Sequence, residues 1–576
     1  MNALHALAGK AGLARSWTDA NGETQDVSDE SLRAILTALG LPATDPDMIA
    51  HSMQALRDRE SRGPAMVTAD IGQPLPLTPD LIHGRLFDDA DAQIDLSLDQ
   101  LRQSGIAHPG YYRLETGNRQ THIAIAPNRC PAIPGRCWGL SVQIPSLRGR
   151  GEFGDFGTLA EAVYAMAAIG ADAVAISPIH SLADPERFTP YSPSSRLSLN
   201  SLFAEAEAPP PDGNADLIDW TKAGPAKIEA LRRIFAEQGS GESFDAFAQS
   251  HARQGLDKVQ RAARESGMAI GLITDLAVGV DPSGADVSCD PQAFLQGLGI
   301  GAPPDPLGPD GQNWGLTSYH PHALIDRGFA PFIALLRANI PEHGGIRIDH
   351  GFGLERLWVI PAGKPASAGA YLSFPFDDML RLVKLEAWRA HAIVIAEDLG
   401  TRPPGFGDAL EKAGIYGMAV LPFQRDDAGA FLPAADYSGT AVAMSATHDT
   451  PTLAGWWTGR DLAWVRLLDR GDADEAERAL EREALWRVIG GTDPMPPPDD
   501  PAPVIDRALA FLAGSNAPLL IVPMEDLVGL TEQPNLPGTI DEHPNWRRRL
   551  PAPIRTLLAR DDVTRRIDQL NKERGR

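Results

Sequence analysis

The feature that most constrains the fold is a series of eight short apolar runs of β type, several of them separated by segments with helical patterns. The runs cover residues 138–144, 173–177, 269–275, 345–349, 393–397, 417–421, 442–446 and 518–524. Their apolar residues are continuous rather than alternating, which indicates burial on both faces, as in the parallel sheets of α/β proteins. The chain is therefore predicted to be an α/β protein with a (β/α)8 TIM barrel. The uneven spacing predicts long loop insertions after strands, such as 181–265 and 280–344.

Two smaller patterns precede the barrel. Residues 1–64 predict a small helical module, in which Ser28 caps a helix that ends before Gly40. Residues 65–130 change to short β-like runs between Gly-, Pro- and Asp-rich turns, which predicts a β-rich module. The barrel with its inserted loop subdomains is then expected to occupy residues 131–576. A chain of 576 residues is also longer than a single core usually supports, which favours several domains.

Charge and cysteine usage exclude several kinds of partner. The formal net charge of -24 has the same sign as nucleic acid backbones and anionic lipid headgroups, so neither is an expected partner. The N-terminus lacks the pattern of a signal peptide, and no apolar run reaches the length of about 18 residues typical of a membrane span. Cys130, Cys137 and Cys289 show no C-x-x-C spacing, so neither a disulfide framework nor a zinc site is suggested. These features predict a cytoplasmic protein.

Acidic residues follow three of the predicted strands. Asp349 ends the fourth run, Glu397 ends the fifth, and Asp449 lies shortly after the seventh. The C-terminal ends of barrel strands meet at one mouth, where the active sites of this fold lie, so we expect the three carboxylates to converge. Cleavage of a glycosidic bond needs one nucleophile and one proton donor across that bond. The pattern therefore favours glycoside chemistry without a metal or a cofactor.

The residues around these carboxylates resemble a known family. The segment 344–363, with the sequence GGIRIDHGFGLERLWVIPAG, closely resembles the nucleophile region of the 4-α-glucanotransferase (amylomaltase) family. Further segments look like that family's motifs in the family's order, namely 191–195, 311–315, 369–371, 395–400, 446–453, 535–539 and 543–549. The resemblance covers roughly residues 138–550, and the N-terminal modules look like the extension of bacterial members.

The resemblance implies a role for each carboxylate. Asp349 would be the nucleophile that attacks the anomeric carbon, Glu397 the acid that protonates the leaving oxygen, and Asp449 the stabiliser of the transition state. Arg347 lies two residues before Asp349 on the same strand face and is expected to keep that carboxylate charged. A retaining pair of carboxyl groups is expected about 5–5.5 Å apart, against roughly 6.5–9.5 Å for an inverting pair.

The resemblance also implies contacts with substrate. The residues predicted to make them are Arg347, His448, His350, Tyr191, Trp314, Asp275 and Asn313. For His350 and His448, an ordinary structural hydrogen bond is about as plausible an interpretation as a sugar contact. The implied partners are α-1,4-glucans, maltooligosaccharides and glucose, and the chain is expected to be a monomer or a homodimer.

Two other functions remain open on the sequence alone. An α-glucan hydrolase would use the same covalent intermediate if water reached it before a sugar hydroxyl. A non-catalytic glucan-binding protein would instead use the β-rich module. The presence of all three carboxylates favours an enzyme, and exclusion of water from the site would favour a transferase over a hydrolase.

Overall fold

The structure is a computed structural model that describes residues 2–19, 22–77, 83–117, 119–207, 216–238, 241–304, 310–471 and 473–576. Its largest sheet has eight parallel strands, numbered here in chain order as β1 (Cys137–Val142), β2 (Ala173–Ile176), β3 (Gly271–Leu276), β4 (Gly345–Ile348), β5 (Ile393–Ala396), β6 (Gly417–Val420), β7 (Ala441–Met444) and β8 (Leu519–Pro523). The order across the sheet is β5-β4-β3-β2-β1-β8-β7-β6. A parallel bridge between Ile395 and Tyr416 joins the two ends. The predicted (β/α)8 barrel is confirmed.

The barrel interior explains why these segments are continuously apolar. One face of the strands fills the centre with a cluster of buried side chains, among them Ile273, Ile395, Val420 and Ile521. The opposite face packs against the surrounding helices in larger clusters. Burying one such side chain stabilises the fold by roughly 1.5–3 kcal/mol. Alternation with polar residues would therefore remove much of the stabilisation either from the barrel interior or from the contact with the helices.

Nineteen α-helices are described, and most of those after residue 150 surround the barrel. They are Ala3–Lys10, Asp29–Ala38, Pro46–Arg62, Leu98–Ser104, Phe156–Ala168, Trp220–Gln238, Phe244–Glu265, Ala285–Cys289, Pro321–Asp326, Ala330–Asn339, Phe376–Ala390, Phe406–Ala413, Leu453–Thr458, Arg460–Leu467, Glu475–Ile489, Ala502–Ala513, Met524–Val528, Ile554–Leu558 and Asp561–Arg574. Within these described helices, none has the length and apolar character required to cross a bilayer.

The predicted insertion 181–265 follows β2 and includes a long helix at its C-terminal end. A helix of 22 residues, Phe244–Glu265, lies there and packs against the helix Phe156–Ala168. Gly255 makes the close approach possible, because a Cβ at this position would lie 2.9 Å from the Cβ of Phe156. The helix Ala330–Asn339 likewise falls inside the predicted insertion 280–344.

The N-terminal region contains both predicted patterns. Ser28 accepts a hydrogen bond from Ser31 N (3.1 Å) and caps the helix Asp29–Ala38. A five-stranded sheet follows, with strands Met66–Asp70, Arg119–Ala126, Gly110–Thr116, Arg85–Asp88 and Gln93–Ile94 in spatial order. Both parts contact the barrel domain: Arg59 Nε of the helical part donates to Asp326 Oδ1 (3.0 Å), and Tyr111 Oη of the β-rich part donates to Glu386 Oε1 (2.5 Å). The domain boundaries at residues 64 and 130 stay a prediction.

The remaining strands belong to the loops at the barrel mouth and to a hairpin near the N-terminus. A four-stranded antiparallel sheet contains Gln312–Leu316, Leu298–Ala302, Arg356–Pro361 and Ala370–Ser373 in spatial order. A two-stranded pair joins His180–Ser181 to Ser195–Leu199, and the N-terminal hairpin joins Ser16–Thr18 to Thr24–Asp26. The first two sheets follow β2, β3 and β4, so they extend the loops on the face where the carboxylates lie.

Candidate active site

The nucleophile candidate Asp349 lies beside a buried ion pair. Arg347 on β4 is the register partner of Asp275 on β3, which brings their side chains together across the sheet. The Nη1 atom of Arg347 donates to both oxygens of Asp275 (2.7 and 2.9 Å) and to Asp349 Oδ1 (3.1 Å). Asp349 is 18% exposed, so one carboxylate edge is held by the guanidinium while the side chain remains reachable from the barrel mouth.

The acid candidate Glu397 lies one strand away. Its two oxygens accept from the backbone N–H groups of His350 (3.0 Å) and Leu399 (2.7 Å). Burial raises the pKa of Glu397 to about 7, and the nearby charge of Asp349 acts in the same direction. His350 has a left-handed backbone (φ 47°), which aims its N–H at this carboxyl. With a pKa of about 7, the Glu397 carboxyl is protonated in a substantial fraction of molecules near neutral pH, as the role of general acid requires.

A pH profile is expected to report this group. Because the proton donor must be protonated, kcat/KM should fall as the pH rises through about 7, the pKa of Glu397. Below that pH, Glu397 stays protonated and should not limit kcat/KM. The rate of maltotriose conversion across a pH series measures the effect. A donor whose leaving group needs no proton serves as the control and should show a much weaker alkaline loss. Full activity of maltotriose conversion well above that pKa would contradict the assignment of Glu397.

The third carboxylate, Asp449, follows β7 and is held in its charged form. His448 Nε2 lies 3.2 Å from Asp449 Oδ2, and Asn535 Nδ2 donates to Oδ1 (2.6 Å). Loss of hydration acts to raise the pKa of Asp449. The positive charge of His448 and the hydrogen bonds from His448 and Asn535 outweigh this effect and lower the pKa below its usual value. The Asp449 side chain is 45% exposed, so a charged carboxylate faces the open mouth of the barrel.

Aromatic side chains form one wall of the mouth. Tyr191 stacks on His448 with ring centroids 4.8 Å apart, and its hydroxyl donates to Asp275 Oδ2 (2.6 Å). Trp546 contacts both rings, at 5.7 Å from Tyr191 and 5.3 Å from His448. Tyr191 therefore links the Asp275 side of the site to the His448 side, so that Asp349 and Asp449 belong to a single network. Glu397 adjoins this network through the backbone N–H of His350, the residue after Asp349.

The other predicted contact residues differ in position. Trp314 lies edge to face against His350, with ring centroids 5.0 Å apart, which places an indole next to the nucleophile and acid candidates. Asn313 instead bonds locally, where its Oδ1 accepts from Gly315 N (3.0 Å) on the same hairpin. The assignment of substrate contacts to these residues stays a prediction.

Two residues at the site, Asn535 and Trp546, had no role assigned from the sequence. Both lie in the loop after β8, and both fall inside segments that resemble family motifs. Trp546 also has a left-handed backbone (φ 58°), which is uncommon for a bulky residue and often marks a functional position. Only the resemblance of these segments to family motifs could have identified the two residues from the sequence, because residues in a loop follow no periodic pattern.

Comparison with known proteins agrees with this geometry. A family model described as 4-alpha-glucanotransferase matches residues 142–251 and 212–555. The chain belongs to the 4-α-glucanotransferase family. A 4-alpha-glucanotransferase from Haemophilus influenzae is 30% identical over 81% of this chain and 84% of the relative. One from Mycobacterium tuberculosis is 28% identical over 97% of this chain and 95% of the relative.

A solved structure of a family relative shares the whole architecture. The crystal structure of amylomaltase from Corynebacterium glutamicum superposes with a TM-score of 0.87 and 26% sequence identity, and the match covers 98% of this chain and 99% of that one. That relative therefore shares the N-terminal modules of this chain as well as its barrel. Membership of the family makes the chain an enzyme of glucan transfer.

Proposed function

We propose that the chain transfers a segment of an α-1,4-glucan to glucose or a maltooligosaccharide by a retaining double displacement, with Asp349 as the nucleophile. The observation that carries this proposal is the pairing of an Asp349 carboxylate bound by Arg347 with a Glu397 carboxyl whose pKa is about 7 on the neighbouring strand. One group is bound by a guanidinium and the other is able to carry a proton, which suits the division of roles that the reaction requires.

In the first step, an oxygen of Asp349 bonds to the anomeric carbon as the glycosidic bond breaks. The electron pair of that bond goes to the leaving oxygen, which takes the proton of Glu397. In the second step, the resulting Glu397 carboxylate removes a proton from an acceptor hydroxyl, whose oxygen displaces Asp349. The charged Asp449 stabilises the positive charge that develops on the sugar ring in both transition states.

The surrounding side chains would hold the reacting sugar. Tyr191 offers an aromatic face, and Trp314 a second one beside His350. His350 and His448 offer ring nitrogens to sugar hydroxyls, and burial lowers the pKa of His350 to about 4, so its ring is neutral near pH 7. Arg347 and Asp275 support the nucleophile, while Asn313 would contact substrate only at the rim of the site.

The product pattern from maltotriose tests the proposal. A transferase converts maltotriose into glucose and a ladder of longer maltooligosaccharides, because a sugar hydroxyl intercepts the intermediate. A hydrolase, the remaining enzyme alternative, gives only glucose and maltose. Chromatography of the products separates these outcomes, and a mixture without any sugar longer than maltotriose would overturn transfer. A non-catalytic glucan-binding protein would leave maltotriose unchanged.

We also propose a cytoplasmic location and a monomeric or homodimeric state. All three cysteines are free, and two of them, Cys130 and Cys137, are buried, which suits a reducing compartment. The strong negative charge argues against nucleic acid and membrane surfaces as partners. The proposed domains are residues 1–64, 65–130 and 131–576.

A further inference from the structure

One buried histidine connects two of the barrel loops. His180 lies in the short strand His180–Ser181 after β2 and is only 2% exposed. Its Nε2 atom accepts a hydrogen bond from the backbone N–H of Ala277 (3.2 Å), the residue that follows β3. A side chain from the loop after β2 therefore binds the main chain at the end of the neighbouring strand.

The bonded N–H belongs to a peptide group that also holds the nucleophile candidate. The Leu276 carbonyl lies in the same peptide group as the N–H of Ala277, and it accepts from the backbone N–H of Asp349 (3.0 Å). A trans peptide group is planar, and its N–H and C=O point in opposite directions. His180 and Asp349 thus bind the two ends of one rigid unit, so a rotation of that unit would disturb both hydrogen bonds together.

Arg196 holds the next two carbonyl groups of the same segment. This buried side chain donates from Nη1 to Ala277 O (2.9 Å) and to Val278 O (3.0 Å). The segment after β3 is therefore bound at an N–H by His180 and at two carbonyls by Arg196. Of these contacts, the bond to His180 is the one made by the peptide group that Asp349 also binds.

His180 is able to accept this hydrogen bond near neutral pH. Burial and the positive charge of Arg196 lower the pKa of His180 to about 3, so its ring is neutral at pH 7. A neutral imidazole has one nitrogen that accepts and one that donates, and acceptance at Nε2 places the ring proton on Nδ1. The bond with Ala277 therefore needs no change in protonation.

We propose that His180 is a positioning residue for glucan transfer, which fixes the peptide group between Leu276 and Ala277 and, through the Leu276 carbonyl, the backbone of Asp349. This inference rests on the proposed function, because it needs Asp349 to be the nucleophile. A displacement of about 1 Å can lower the rate of such a reaction by roughly 10²-fold, so even a small rotation of this peptide group has a measurable effect. His180 acts through the main chain and not by contact with the sugar.

Replacing His180 with leucine tests the proposal, since leucine fills much of the volume of the ring and cannot accept a hydrogen bond. The kcat for maltotriose should fall about tenfold while KM stays near the wild-type value, because Asp349 bonds to the sugar only in the transition state. With α-maltosyl fluoride as the donor, kcat/KM should fall by a similar factor, because fluoride leaves without a proton donor but still needs the nucleophile. Initial rates with the two donors measure these effects.

Two amide variants separate the hydrogen-bond acceptor from the size and polarity of the side chain. Glutamine can place Oε1 near the position of Nε2, so His180→Gln should recover most of the wild-type kcat. Asparagine is one methylene shorter and its amide ends near the position of Nδ1, so His180→Asn should lose about as much kcat as His180→Leu. A histidine with a structural role alone would give no difference in kcat between the two amides.

His320 provides a matched control. Its Nδ1 atom also accepts from a backbone N–H, that of His322 (3.2 Å), and burial lowers its pKa as well. The ring of His320 bonds the backbone of Leu39 in the N-terminal helical module and not the end of a barrel strand. His320→Leu should therefore lower the unfolding temperature, as His180→Leu does, and leave kcat and KM for maltotriose unchanged.

An unchanged kcat in His180→Leu would overturn the positioning role. A loss with maltotriose that disappears with α-maltosyl fluoride would also overturn it, because the residue would then act through the proton donor. If His180→Leu fails to fold, the glutamine and asparagine variants are compared alone, and equal kcat values for these two would overturn the role. An Asp349→Asn enzyme that keeps its activity would instead overturn the proposed function. An inactive Asp349→Asn together with an unaffected His180→Leu would overturn the positioning role alone.

Discussion

Asparagine in place of Asp349 is expected to lower turnover of maltotriose by roughly 10⁴-fold or more, with thermal unfolding close to that of the wild type. Removing a nucleophile abolishes the covalent route, and variants of this kind commonly lose activity on that scale. The fold should tolerate the change because Arg347 retains its two bonds to Asp275 (2.7 and 2.9 Å). The neutral amide keeps the shape of the carboxylate and loses its charge and nucleophilicity.

Initial rates and circular dichroism measure the two parts of this prediction. Asp461 provides a control, since it also binds an arginine, Arg478, through both oxygens (2.8 and 2.7 Å) but lies away from the carboxylate network. Asp461→Asn is expected to keep turnover near the wild-type level even if it lowers the unfolding temperature. Asp349→Asn with more than a tenth of wild-type activity would contradict the assignment of the nucleophile.

Glutamine in place of Glu397 is expected to lower turnover of maltotriose by roughly 10³-fold, within the range of about 10²–10⁴ that general acid catalysis contributes. The loss should be much smaller with an α-maltosyl fluoride donor, because fluoride leaves without needing a proton. Formation of the intermediate then becomes easy while its transfer stays slow, since the base for the second step is also missing. The covalent glycosyl-enzyme should therefore accumulate, and mass spectrometry of the intact protein detects it.

The same fluoride donor separates the two carboxyl groups. Asp349→Asn should remain inactive toward it, because a better leaving group does not replace a missing nucleophile. If both variants respond alike to the fluoride donor, the assignment of acid and nucleophile is wrong. An adduct on a peptide other than the one that contains Asp349 would identify a different nucleophile.

Much of the fold could be predicted because its signals are local in sequence. Each of the eight barrel strands lies inside one of the predicted apolar runs or extends beyond it by one residue. This agreement arises because burial on both faces requires a continuous apolar segment. Ser28 marks the start of its helix because a capping side chain acts only three residues away. Carboxylates at strand ends are also visible locally, and the barrel topology then brings Asp349, Glu397 and Asp449 to the same mouth.

The rest depends on long-range packing. Asn535 reaches Asp449 across 86 residues of sequence, and nothing around either residue indicates that contact. The helix Phe244–Glu265 begins after a local capping residue, Ser243, but its place in the layer around the barrel depends on packing against the distant helix Phe156–Ala168. The connection between β6 and β7 contains two short 3₁₀ turns and no α-helix, although a regular barrel would place one there. Trp546 enters the site through a backbone conformation that the sequence does not reveal.

The pairing of β4 with β5 has a consequence for the stereochemistry of the reaction. Ile348 and Ala396 are register partners, and Asp349 and Glu397 are the next residue on each strand. Adjacent strands lie about 4.8 Å apart, close to the spacing of about 5–5.5 Å between carboxyl groups in enzymes that preserve the anomeric configuration. The hydrogen-bond ladder therefore starts the two carboxyl side chains from backbone positions one strand spacing apart, as a pair of this kind requires.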